Sequence, residues 1–177
     1  FLIIGLHLVA MLSMLDAKMI ILLRHHKGDT AVFARLNARS MLAMFSSGMF
    51  MTPVFAALSD SFGRRSLMLF APIWGLGLRI AELINPHASV VLATSALSAP
   101  LTCLMQGVST SVVDLFPGDP KNAGVALAYV MAGAQLATVV SPLLGASLAA
   151  RGVRLPMLLS ASCLVTEIMI VLRFLPE

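Results

Sequence analysis

Apolar runs of about 20 residues recur along the whole chain, each closed by a short polar turn. That is the length a helix needs to cross a hydrocarbon core about 30 Å thick. Within lipid a backbone must satisfy its own hydrogen bonds, so only helices and closed barrels span. Barrel strands would run about 10 residues with strict apolar–polar alternation, and no segment alternates in that way. The chain therefore reads as an all-α, integral, multi-pass membrane protein. Its 177 residues have room for about six spans. A mean hydropathy of +0.95 and a charged fraction of only 11% agree with this.

The predicted spans are 1–23, 31–58, 66–84, 88–113, 123–149 and 155–175, forming a single bundle. The connections between them are too short to hold a soluble domain. Asn85-Pro86-His87 ends the third span, because proline cannot continue a helix without losing a hydrogen bond. The segment from Asp114 to Asn122 is dense in turn formers. The first residue is Phe1, already apolar, and further sequence is expected before it. Residues 1–23 lack the basic leader and small-residue cleavage site of a signal peptide.

The net charge of +4 does not point to nucleic acid. The basic residues are scattered over short loops, with no aromatic-interleaved basic face, and juxtamembrane lysine and arginine have the ordinary membrane explanation. Cys103 and Cys163 lie within apolar segments, and neither has Cys or His at metal-ligand spacing. His25 and His26 are adjacent loop histidines and read as exposed, and His7 reads as structural. No nucleophile–base constellation, phosphate loop or ligand cluster is present, so neither an enzyme nor a cofactor or metal is expected.

Ionisable groups at membrane depth are costly and are functional candidates by default. Asp16 lies roughly 6 Å from the middle of the first span at 1.5 Å per residue. It is a candidate for binding a cation or carrying a proton, against the alternative of pairing within the bundle. Lys18, two positions on, faces another way and makes a poor intrahelical partner. Glu167 lies near the middle of the sixth span, as a proton site or a carboxyl bonded to a neighbouring helix. Arg79 and Glu82 are spaced to pair, at the membrane interface. Gln106 and Gln135 are amides that either meet substrate or join helices. Gly133, Ala137, Ser141, Gly145 and Ala149 recur every four residues, which places them on one helix face. Such a stripe lets helix backbones approach closely. Pro142 beside it is expected to kink the helix. Gly48, Thr52 and Ala56 repeat the pattern in the second span.

Between the second and third spans stands the charged turn Leu58-Ser59-Asp60-Ser61-Phe62-Gly63-Arg64-Arg65. Leu58, Asp60, Gly63, Arg64 and Arg65 resemble the signature of the major facilitator superfamily of secondary transporters, with Ala56 in place of its leading glycine. In the fifth span Ala137, Ser141, Pro142 and Gly145 resemble the antiporter signature of that family, with small residues for some glycines. Leu15-Asp16 resembles an acidic motif of drug–proton antiporters, and Phe174 to Glu177 resembles the close of the family's sixth helix. The resemblance implies the N-terminal half of a twelve-helix fold, with a second six-helix half in the same or another chain. It implies that Asp60 and its neighbours act in gating against that half. It also implies secondary transport of a small solute by alternating access, preferably drug-antiporter-like efflux coupled to protons. Two features depart from it. The family's proton-coupled members carry an arginine in the fourth helix, and here no Lys or Arg stands between Arg79 and Lys121. The family topology also sets Arg64, Arg65, Lys121 and Arg173 in the cytoplasm and leaves Arg24, Lys27, Arg35, Arg39, Arg151 and Arg154 opposite, the reverse of the positive-inside bias. The alternative function is a non-transporting half that serves as a membrane scaffold or partner subunit.

Overall fold

A computed structural model of the protein describes residues 2–174, with the side chains of all of them except Leu67, Thr102, Cys103, Met105 and Gln106. The expected closing residues Leu175 to Glu177 and the amide of Gln106 therefore lie outside the described parts. Eight helices follow in order: α1 (Leu2–Leu12), α2 (Leu15–His25), α3 (Thr30–Phe62), α4 (Arg64–Ile84), α5 (Ala88–Ala96), α6 (Ala99–Asp114), α7 (Pro120–Arg151) and α8 (Arg154–Phe174). No strand occurs among the described residues.

Among the described residues five stretches are long and apolar enough to cross a membrane: Leu2–His25, Thr30–Phe62, Arg64–Ile84, Pro120–Arg151 and Arg154–Phe174. The first is α1 and α2 joined through a shallow break at Ser13 and Met14. The predicted fourth span is divided into α5 and α6 by a turn at Leu97 and Ser98. Pro100 is one cause, since it has no N–H to offer the preceding turn. Side chains also bond carbonyls of this turn. Ser98 Oγ donates to Ser95 O at 2.6 Å, and Trp74 Nε1 donates to Leu97 O at 2.9 Å from α4.

Helix starts follow ordinary capping chemistry. Asp29 accepts from the Ala31 and Val32 amides at the head of α3. Asp119 accepts from the Asn122 amide at the head of α7, where Pro120 occupies the first turn.

The charged turn is tighter than the sequence predicts. Serine and aspartate tolerate a last helical turn, so α3 runs on through Phe62 and only Gly63 separates it from α4. Gly63 has φ 84° and ψ 154°, a region that is essentially glycine's alone. Gly63→Ala is therefore expected to cost about 1–3 kcal/mol, read as a lower unfolding temperature in a fixed detergent. An unchanged midpoint would mean the two helices can meet in another geometry.

In the packed interior α1 lies against α7 and α8, and α4 lies against α8. Ile4, Met68, Ala71, Leu104, Val108, Val130, Ala134 and Val171 form one buried cluster, and Met14, Ile21, Leu22, Ala88, Val91 and Met157 another. The α7 stripe is the seam that allows this. Gly133, Ala137, Ser141, Gly145 and Ala149 are all buried. A Cβ at Gly145 would fall within 2.9 Å of the Ser13 backbone at the α1–α2 break. Pro142 does not end α7, which continues to Arg151. The matching stripe in α3 is not a seam among the described helices. Gly48 is buried, but Thr52 is half-buried and Ala56 exposed, because α3 borders the described bundle and shows most of its surface.

Candidate functional site

Two helix breaks, Ser13–Met14 in the first span and Leu97–Ser98 in the fourth, fall at comparable distances from the loops at His25 and His87. Interrupted membrane helices expose polar backbone, which is tolerated where it is buried in protein or lines a cavity. A cavity of about 210 Å³ lies there, with walls from α1, α2, α3, α4 and the α5–α6 break. Its polar lining is Lys18, Asn37, Ser40, Arg79, Ser95 and Ser98. Its apolar lining is Met11, Leu12, Leu15, Met41 and Met44.

The charged groups of this wall form one network. Arg79 Nη1 donates to Glu82 Oε2 at 2.5 Å, and the Thr94 hydroxyl donates to Glu82 Oε1. Lys18 Nζ donates to Ser95 Oγ at 2.9 Å and stands 3.9 Å from Glu82 Oε1. Ser95 Oγ itself donates to Val91 O at 2.7 Å. Arg79 and Glu82 pair as their spacing predicts, and both are buried in the bundle, 2% and 0% exposed. They are buried because the α4 face carrying both residues turns towards α5 and α2. The fourth span has no cation of its own, yet the Lys18 ammonium of the first span rests on it.

Asp16 does not line this cavity. It lies about 200° around the helix from Lys18 at about 100° per residue, and its Oδ2 is buried without a hydrogen-bond partner. Glu167 belongs to a separate cluster: its Oε2 bonds His7 Nδ1 at 3.1 Å, and His7 Nε2 bonds Leu101 O at 3.0 Å. Both side chains are buried, so α1, α6 and α8 are tied together just beyond the fourth-span break. Gln135 is exposed on α7. Ser141 and Ala137 are joined within α7 by a hydroxyl-to-carbonyl bond.

The charged turn sits at the opposite end of the bundle. Arg64 Nε meets Asp114 Oδ2 at 2.5 Å, and Arg65 Nη2 donates to Leu172 O at 3.0 Å. The turn is thus fastened to the ends of α6 and α8. Arg64 and Asp114 are 32% and 54% exposed, and such a pair contributes only about 0–1 kcal/mol after screening. It orients the turn more than it stabilises the fold. Asp60 is exposed at the end of α3, and Leu58 is also exposed.

Sequence reasoning missed the partners of Lys18 and the link from Arg64 to Asp114. The first left a signal: a lysine in an apolar span requires an acid at similar depth, and Glu82 is one of very few. The second left none, since Asp114 reads as one turn residue among several. At the loop end Arg24, His25, His87 and Arg154 line a larger, open cavity of about 610 Å³. The His25 and His87 rings stand edge to face there, 4.8 Å apart. Among the described residues no three His, Cys, Asp or Glu side chains gather as metal ligands do.

No curated protein and no solved structure gives a significant match to the chain. The family model of the Major Facilitator Superfamily matches residues 6–177. That match covers almost the whole sequence, and with a helical bundle of membrane-length elements it places the protein in a family of membrane transporters. The chain belongs to the Major Facilitator Superfamily.

Proposed function

We propose that this chain is one half of a secondary transporter and that its solute passes through the cavity at the two helix breaks. A midplane site beside interrupted helices is the arrangement from which alternating access operates. The supporting observation is the polar lining itself. Lys18, Arg79, Ser95 and Ser98 converge on one cavity, with Lys18 and Arg79 on helices long and apolar enough to cross a membrane, where such groups are costly without a use. The second half, from the same or another chain, would meet the exposed apolar faces of α3 and α7, where Met49 and Leu143 are 78% and 69% exposed. Asp60, Gly63, Arg64 and Arg65 then serve as the gate at the far end, with α6 and α8 holding them in place. Outward transport and proton coupling draw on the Leu15-Asp16 likeness. Because Asp16 lies off the cavity, Glu167 and its His7 partner are the better proton carriers of this reading.

The test is aqueous access. Ser98→Cys, in a background with Cys103 and Cys163 replaced by alanine, should react with a membrane-impermeant maleimide in proteoliposomes. Slow labelling, reduced when the cavity is filled, is the expected result. No labelling from either face would defeat the transport reading and favour a non-transporting half.

A further inference from the structure

We propose that the solute of this cavity is a small organic oxyanion, such as a carboxylate on a short apolar body. The inference rests on reading the cavity as the solute path. Its basis is a charge left over at the wall. Lys18 and Arg79 are positive and Glu82 negative, which leaves one positive charge. Each oxygen of Glu82 already accepts a hydrogen bond, Oε2 from Arg79 and Oε1 from Thr94. Lys18 stands 3.9 Å from Oε1, too far for a hydrogen bond. Of its three N–H groups, one goes to Ser95 Oγ. Asp16 lies on another face of the same helix and does not line the cavity. The Lys18 side chain is only 17% exposed, so water offers little compensation.

An ammonium held this way within a membrane-length helix is completed by an incoming anion. An oxyanion bound to Lys18 would make a charge-assisted hydrogen bond, roughly twice as strong as a neutral one. Ser98 and the Asn37 amide line the same space and supply further polar contact. The start of α6 at Ser98 adds the positive end of a helix dipole. The remaining wall of Met11, Leu12, Leu15, Met41 and Met44 fits an apolar tail. Its methionines are flexible and polarisable and adapt to varied shapes. A cationic solute would meet Lys18 head-on and be repelled.

Three probes of one shape separate the possibilities: hexanoate, hexanamide and hexylammonium. Trp74 is the sole tryptophan, and its bond to Leu97 O at the break makes its emission a reporter of the cavity. The full chain in nanodiscs is titrated with each probe. Hexanoate should bind about tenfold to a hundredfold more tightly than hexanamide, the worth of one charged hydrogen bond, and hexylammonium should bind weakest. Lys18→Met should remove that preference, and Lys18→Arg should restore it. Ser95→Ala, which frees the ammonium from its hydroxyl acceptor, should keep the preference for the anion. If hexanamide or hexylammonium binds as well as hexanoate, the anion assignment is wrong and the cavity remains a solute site. If no probe alters Trp74 emission, both the assignment and the cavity reading fall.

Discussion

Gly145→Ala is expected to destabilise the protein by about 1–3 kcal/mol or more, the range for forcing volume into a packed interior. The cause is a backbone that cannot yield. The added Cβ would lie within 2.9 Å of the Ser13 Cα and carbonyl carbon, and closer still to the carbonyl oxygen. Ser13 belongs to the α1–α2 break, so it moves only if the first span moves away from α7. Two other glycines calibrate the effect. At Gly75 a Cβ would come 2.7 Å from Leu101 Cδ2 and 3.3 Å from Leu164 Cδ1. Those are the ends of side chains that can turn, so Gly75→Ala should cost less. At Gly124, in the same helix as Gly145, nothing lies within 4 Å. Gly124→Ala should be neutral or gain up to about 1 kcal/mol from helix propensity. Unfolding temperatures in one detergent should rank Gly124→Ala above Gly75→Ala above Gly145→Ala. A Gly145→Ala protein that melts with the wild type would show that α7 and the first span are not in close contact.

That seam was legible in the sequence because small residues every four positions have few other uses in a membrane helix. The same pattern in α3 meets no close neighbour among the described helices, since spacing records that a helix can pack closely and not what it packs against. The all-helical, membrane-length character was legible for a similar reason: lipid thickness and the cost of burying charge act on composition directly. The break at Leu97 and Ser98 was not. Pro100 alone permits either a kinked or a divided helix, and the divided form comes with Trp74 and Ser98 bonding carbonyls of that turn. Side-chain partners across the bundle were the least legible part. Arg79 and Glu82 paired on helix spacing, whereas Lys18, 64 residues away from Glu82 along the chain, met it only through the packing of α2 on α5 and of α5 on α4. Glu167 stood out as an acid at membrane depth, but its partner His7 lies at the other end of the sequence.

Glu82→Ala is expected to cost about 3–5 kcal/mol, the penalty for removing one partner of a buried ion pair. In a protein of this size that corresponds to a fall in unfolding temperature of roughly 6–20 °C. Glu82 is fully buried and accepts from both Arg79 and Thr94. Its loss leaves the Arg79 guanidinium, 2% exposed, without its carboxylate, and leaves the Thr94 hydroxyl with Val91 O at 3.1 Å. The cost arises from the stranded charge and not from the pair itself. Replacing both partners, as in Arg79→Met with Glu82→Met, should therefore recover most of the stability, since a buried pair often exchanges evenly with apolar residues of like volume. Lys18→Met should alter stability by less than about 1 kcal/mol. Lys18 has a neutral hydroxyl at hydrogen-bonding distance and Glu82 Oε1 farther off at 3.9 Å; a neutral hydrogen bond contributes about 0.5–1.5 kcal/mol net, and against both contacts stands the relief of desolvating a charge. The three unfolding temperatures separate structural from functional charge in the cavity. A large loss for Lys18→Met with none for Glu82→Ala would reverse the assignment, making Lys18 the residue that holds the helices and Glu82 the one left for the solute.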